Sequence, residues 1–303
     1  AMVWQTFKYG VPMPTDVARA AQAGDRDFVR QRTAEHIQRV GHHYRGQVEE
    51  WDVVNEPVSE HRITEMLTDN LEDDPTPFLK EWFCLAAEAA PDARLFINDF
   101  HILVGDKTSH KDRYETIIER LLEAGAPLEG IGFQGHYYNG NLRRTPEQLE
   151  HTLDRFARFD LPLVVTELDM YGNGWGDTQE EREQNQAEFM KTMLTTLFAH
   201  PSVSGIVFWG FWDGQHWANE APFFREDWSA KPALEVYKDF FYETWWSDET
   251  TKTDKEGVAT ARVLHGTYLL EITSPDGSVT TSPARFSPDV TTAEISLKID
   301  TGH

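Results

Sequence analysis

The chain has 303 residues, 40% of them apolar, with 18 Phe, 10 Trp and 9 Tyr, enough to bury a large core and to exclude a disordered or fibrous protein. Its 51 acidic and 28 basic residues give a formal charge of −23, which argues against nucleic acid and anionic membrane surfaces as partners and suits a neutral substrate or plain solubility. No apolar run approaches the ~20 residues that span a bilayer, and the single cysteine, Cys84, excludes an internal disulfide and a multi-cysteine metal cluster.

Short apolar runs alternate with helical stretches, the mark of βα units around a parallel sheet. Strands are predicted at 1–4, 48–55, 93–98, 131–136, 163–167 and 205–211, separated as parallel crossovers require. The opening Ala1-Met2-Val3-Trp4 shows neither the charged nor the apolar region of a secretory signal. Thr76-Pro77 opens a helix with Phe78, Leu79, Trp82, Phe83 and Ala86 facing inward. Tyr114, Ile117, Ile118, Leu121 and Leu122 form one helical stripe, closed by Gly125 and Pro127. Thr145-Pro146 with Gln148, and Thr178 with Glu181, read as capping boxes, the second for a helix running to about His200. Ser229 is expected to cap the last helix, which ends near Trp245. Six strand–helix units are legible, over residues 1–246.

Beyond Trp246 the texture changes. Residues 247–256 are polar and read as a linker. Strands rich in Thr, Val and Ile follow at 258–264, 266–273, 278–286 and 291–299, with a turn at Pro275-Asp276-Gly277, so 257–303 is expected to be a small all-β module.

In a parallel α/β barrel, reactive groups gather at the C-terminal ends of the strands. Those ends carry Asp52, Asn55, Glu56 and Pro57, then Asn98-Asp99, Gln134 and His136, Glu167 and Asp169, and finally Trp209 and Trp212. Two glutamates therefore emerge on one face, among amides and aromatic rings. Cleaving a glycosidic bond needs a protonated carboxyl for the leaving oxygen and a second carboxylate across the sugar. Trp4, Trp209, Trp212 and Trp217 offer flat faces for pyranose rings, and Asn55, Gln134 and His136 offer partners for hydroxyls. Each feature alone has a plainer explanation. An Asn-Glu-Pro tripeptide is common, a strand-end glutamate is usually a solvated charge, His42-His43 suits a solvated surface, and Cys84 suits an inert core. The conjunction, with every polar candidate at the proper end of its own strand, is what the plain explanations leave out.

The segment 51–57, the Gln134-x-His136 pair, Thr166-Glu167-Leu168-Asp169, and Trp209-Gly210 with Trp217 eight residues on resemble glycoside hydrolase family 10, over residues 1 to about 246. The resemblance implies a (β/α)8 TIM barrel and a retaining, xylanase-like glycosidase that uses neither a metal nor an organic cofactor. Glu56 would be the acid/base and Glu167 the nucleophile, with Asn55 on the sugar 2-hydroxyl and, beside His136, among the donors that keep Glu167 ionised. His136 would bond Glu167 and be fixed by Asp169, Gln134 and Asp52 would support the Glu56 side, and Trp4, Trp209 and Trp217 would wall the sugar. The partner implied is a polysaccharide, xylan or a related plant β-glycan, met outside the cell or in the periplasm by the full-length parent.

Several positions depart from the family pattern. Pro57 replaces a small residue, Gln5 a histidine, and Phe100 a tyrosine whose hydroxyl lies on the leaving-group side. The histidine that normally precedes the third strand is absent. The first two of the eight βα units have no counterpart, so an N-terminal truncation is expected, with two parallel edges left unpaired. The tail, with Thr253-Asp254-Lys255-Glu256-Gly257 and Gly266-Thr267-Tyr268, resembles transthyretin-like or carboxypeptidase-regulatory-like modules. Two other functions stay open: a carbohydrate-binding protein without turnover, and a hydrolase of another β-glycan.

Overall fold

The computed structural model describes residues 1–5, 13–68 and 74–287. Two compact units make up the chain, Ala1–Leu234 and Glu235–His303. In chain order the first runs β1 (Val3–Trp4), α1 (Thr15–Ala23), α2 (Arg26–His43), β2 (Glu50–Asn55), α3 (Arg62–Leu67), α4 (Thr76–Ala89), β3 (Arg94–Asp99) and α5 (Thr108–Glu123). It continues through β4 (Gly130–Phe133), β5 (His136–Asn139), α6 (Pro146–Ala157), β6 (Leu163–Asn173), α7 (Gln179–Ala199), β7 (Val203–Phe208) and the start of α8 (Pro232–Lys238). This is the βα architecture of a (β/α)8 barrel, with six units among the described residues.

All strand pairs in the main sheet are parallel, in the order β1, β2, β3, β4, β6, β7, with β5 alongside the C-terminal half of β6. Parallel strands covered on both faces read as continuous apolar runs, and β3 is buried at every position but its first. Register brings the strand ends level: Trp4 pairs with Asn55, Asn55 with Asn98, Asp99 with Phe133, and Leu168 with Phe208. That alignment, fixed by backbone hydrogen bonds, sets the candidate side chains on one rim.

The helices form for local reasons. Both predicted capping boxes are present: Thr145 accepts from Gln148 N while Gln148 answers to Thr145 N, and Thr178 and Glu181 do the same for α7. A Cβ at Gly41 of α2 would meet Ala89 Cβ of α4 at 2.6 Å, so glycine sets how closely those helices approach. Tyr114 of α5 is fully buried and donates to, or shares its hydroxyl between, Ile97 O and Gly132 O, each at 2.9 Å, tying the helix to β3 and β4. Tyr114→Phe is expected to cost about 1–3 kcal/mol, because two buried carbonyls lose a donor. A lower urea midpoint at unchanged slope would register it.

Several predicted bounds are corrected. The strand expected at 131–136 ends at Phe133, where Gln134 N turns to Asp99 O and a second short strand starts at His136. The strand expected at 163–167 continues to Asn173, because β5 supplies it with a partner. Ser229 caps no helix: its N–H and hydroxyl both bond Asp227 Oδ1 in a turn, and α8 starts at Pro232. From Asp239 to Thr244 the helix widens to a π-helix.

In the second unit, β8 (Gly266–Thr273) and β9 (Val279–Phe286) form an antiparallel hairpin around the predicted turn, where Gly277 has φ 86°. Residues 258–264 form no strand, since no partner lies beside them among the described residues. The strand expected at 291–299 falls outside the described residues. Among those residues no helix is long and apolar enough to cross a membrane.

Candidate active site

Glu56 follows the last residue of β2 and holds φ 57°, a left-handed conformation that a side chain disfavours. Three features keep it there. Its N–H bonds Asn98 O at 2.7 Å, Pro57 begins a turn that needs no donor at that position, and Val58 N donates to Asp99 Oδ2 at 3.0 Å. The Glu56 carboxyl is buried and accepts from Gln134 Nε2 at 2.9 Å, Trp4 Nε1 at 3.0 Å and Asn55 Nδ2 at 3.3 Å. Burial pushes its pKa above the ordinary carboxyl value; the Gln134 and Trp4 donors oppose that, and the charges of Asp99 and Glu167 add to it.

Glu167 lies in β6 where the pairing with β7 shifts register between Val165 and Leu168, an irregularity of the kind that re-aims a side chain. Its oxygens face donors: Asn98 Nδ2 at 3.0 Å from Oε1, and His136 Nε2 at 3.1 Å from Oε2. That is the surrounding of an anion. His136 Nδ1 lies 2.8 Å from Asp169 Oδ1. Burial alone would lower the imidazole, yet the two carboxylates bonded to it prevail and raise it to about 9. Asp169 is fully buried and takes Trp217 Nε1 at 3.1 Å and His216 Nε2 at 3.2 Å on its other oxygen.

Asn98 joins the two carboxyls. One amide nitrogen reaches both Glu167 Oε1 and Asn55 Oδ1, the latter at 2.8 Å, while its carbonyl accepts from Thr166 Oγ1 at 2.8 Å. Asn55 in turn accepts from Gln134 Nε2 at 3.3 Å and donates to Glu56. The expected donor to Glu167 is thus replaced: Asn55 serves Glu56, and Asn98 stands where Asn55 was expected. Asp52 also departs from expectation. Among the described residues it makes no hydrogen bond to Glu56 or Gln134, and burial, with the Glu167 charge adding, pushes it to about 6. Asp99 was flagged only as a strand end; it is buried, and it holds Val58 N, Phe100 N at 2.8 Å and His110 Nε2 at 2.9 Å.

The aromatic candidates divide. Trp209 and Trp217, 46% and 54% exposed, flank His136 with ring centroids 6.1 and 5.3 Å away, so both offer free faces beside Glu167. Trp4 is half-buried and bonds Glu56. Trp212 instead stacks on Trp228, 4.7 Å apart and 13° from parallel. Gln5 is buried, and its Oε1 accepts from Thr64 N at 2.8 Å in the first turns of α3. Phe100 packs against His101 and His110. His216 is a site residue that sequence reasoning missed, and Asn98, like Asp99, was flagged only as a strand end. Asn98 had a signal in its strand-end position level with Asn55, whereas His216 lies in a loop 47 residues from Asp169 and had none.

Residues 1–240 match the family model for Glycosyl hydrolase family 10. A beta-1,4-xylanase of Dictyoglomus thermophilum is 32% identical over 217 residues, which are 64% of this chain and 56% of that protein. The chain therefore spans little more than half the length of that curated relative. Native xylanase 10B of Thermotoga maritima superposes with a TM-score of 0.63 at 26% identity, covering 80% of this chain and 73% of that one. Xylanase 10B of Thermotoga petrophila RKU-1, solved with xylobiose, gives 0.60 at 28% identity, with 70% and 65% covered.

Proposed function

The chain belongs to glycosyl hydrolase family 10, and from that premise we propose that it cleaves internal β-1,4 linkages of xylan by double displacement through a glycosyl-enzyme. Glu167 attacks the anomeric carbon while Glu56 gives its proton to the leaving oxygen. Water then enters from the leaving-group side, Glu56 takes its proton, and the Glu167 ester is released. The carrying observation is the contrast between two carboxyls joined by Asn98 and Asn55. Glu167 accepts from Asn98 and His136, whereas Glu56 is buried near like charges that favour its protonated form. When Glu167 becomes an ester its charge is lost, one of the influences raising Glu56 goes with it, and Glu56 becomes fit to serve as base.

Asn55 binds the 2-hydroxyl of the reacting sugar in this reading, and Trp4, Trp209 and Trp217 bound the ring. Gln134 orients Glu56, while His136 and Asp169 orient Glu167. Residues 1–246 carry the reaction, with 257–303 as an appended β module. The xylanase and xylobiose named for the relatives support xylan as substrate. A polymer of that size is met in the extracellular or periplasmic space.

The test is reducing-end release from soluble xylan, with the anomeric configuration of the first product followed by proton NMR. Early β product supports the proposal. Early α product would mean inversion, and xylan binding without release would mean a carbohydrate-binding protein; either outcome ends it.

A further inference from the structure

Asp169 receives a donor that the two-carboxylate scheme does not use. His216, in the loop between β7 and α8, has a side chain only 1% exposed, and its Nε2 lies 3.2 Å from Asp169 Oδ2. The backbone N–H of Ala218 donates to the other ring nitrogen, Nδ1, at 3.3 Å. A nitrogen that accepts a hydrogen bond carries no proton, so the ring proton sits on Nε2 and points at Asp169. Trp217 Nε1 donates to the same oxygen at 3.1 Å, leaving Oδ1 to His136 at 2.8 Å. Two histidines thus meet one carboxylate on unlike terms: His136 lies between two carboxylates, His216 between a carboxylate and a peptide N–H. Gly210 makes room for the second ring, since a Cβ there would stand 3.0 Å from His216 Cδ2, and its φ of 79° suits glycine.

Resting on the reading of Glu167 as nucleophile, we infer that His216 is a positioning residue of the reaction: with Trp217 it pins Asp169 Oδ2, so that Oδ1 meets His136 squarely and the imidazole presents Nε2 to Glu167. It does so without bringing charge. A second imidazolium on Asp169 would share the negative charge that holds the proton on His136, and His136 would then grip Glu167 less firmly. Among the described residues, ionisable groups near the ring include Tyr171, 6.0 Å away centroid to centroid, the His136–Glu167 pair beyond Asp169, and Asp213 three residues earlier in the loop. Among the described residues no side chain other than Asp169 hydrogen-bonds His216.

The full chain is compared with His216→Ala and His216→Gln; glutamine keeps an N–H donor of similar reach. On xylan, His216→Ala is expected to lower kcat roughly 10–100-fold, since a misplacement of about 1 Å at a reacting group can cost on the order of 10²-fold. KM should stay within about twofold, because His216 touches Asp169 rather than substrate. His216→Gln should recover most of the rate. Nitrogen-15 imidazole spectra give a readout independent of turnover: His216 should carry its proton on Nε2, and the Nδ1 proton of His136 should move in the alanine variant. Three results would overturn the inference: an unchanged kcat in the alanine variant, a glutamine variant no better than alanine at equal melting temperature, or a His216 proton found on Nδ1. If the alanine variant fails to fold, the glutamine variant and the wild-type spectra decide. A wild-type chain that does not hydrolyse xylan would sink the xylanase reading alone, and the spectra would still judge His216.

Discussion

Glu167→Gln is expected to lower xylan hydrolysis by roughly 10⁴-fold or more, the scale on which one member of a covalent catalytic unit acts. The amide keeps the shape of the carboxylate but has no anionic oxygen to attack the anomeric carbon. Affinity for xylo-oligosaccharides should survive, because Trp209 and Trp217 keep their places and the Asp169–His136 pair is intact. His136 should titrate below about 9 once one of its two carboxylate partners is neutral. Calorimetric binding and a rate assay run together check both halves. Hydrolysis in the variant at more than a few per cent of wild type would move the nucleophile elsewhere.

Glu56→Ala should lower turnover of xylan about 10²–10⁴-fold, the usual contribution of a positioned general acid. The loss should depend on the leaving group. A xylosyl leaving group needs protonation, whereas a dinitrophenolate leaves unaided, so an activated aryl glycoside should lose far less in the bond-breaking step. With that substrate the base needed for the second step is missing, and a burst of phenolate followed by slow turnover is expected, with azide restoring the rate. The sign of the pH effect follows from the raised Glu56 pKa. The enzyme needs this group protonated before the bond breaks, so kcat/KM should fall as pH rises through that value, and the alkaline limb should vanish in the variant. Equal losses on both substrates would remove Glu56 from the acid role.

Much of this site was legible because strand ends are easy to find in a parallel sheet and chemistry collects there. Glu56, Gln134, His136, Glu167 and Asp169 all sit within hydrogen-bond reach of one another's partners, although Glu167 and Asp169 lie inside β6 and His136 opens β5 rather than closing a strand. What could not be read was the pairing among neighbours. Asn55 and Asn98 are level in register and chemically alike, and only side-chain geometry shows which amide faces which glutamate. Asp52 lies in β2, four residues before Glu56, and at about 3.3 Å of rise per residue that separation is too long for a direct bond. Capping boxes were read correctly because they are local. Ser229 misled for the same reason: an oxygen side chain ahead of an apolar run suits a cap, but Asp227, two residues before, captured it first. The strand expected at 258–264 had the composition of a strand and lacks a partner among the described residues, which composition does not supply.

The backbone of Glu56 carries a wider consequence. A left-handed φ costs a residue with a Cβ about 1–2 kcal/mol that glycine escapes, and burying its carboxyl near Asp99 and Glu167 adds an electrostatic burden. Replacement by glycine, which sheds both the φ penalty and the buried carboxyl, should therefore tend to make the fold sturdier while removing the proposed acid/base. Any selection that rewards heat resistance alone would drift toward a calmer residue here, and the fold would outlast the chemistry proposed for it.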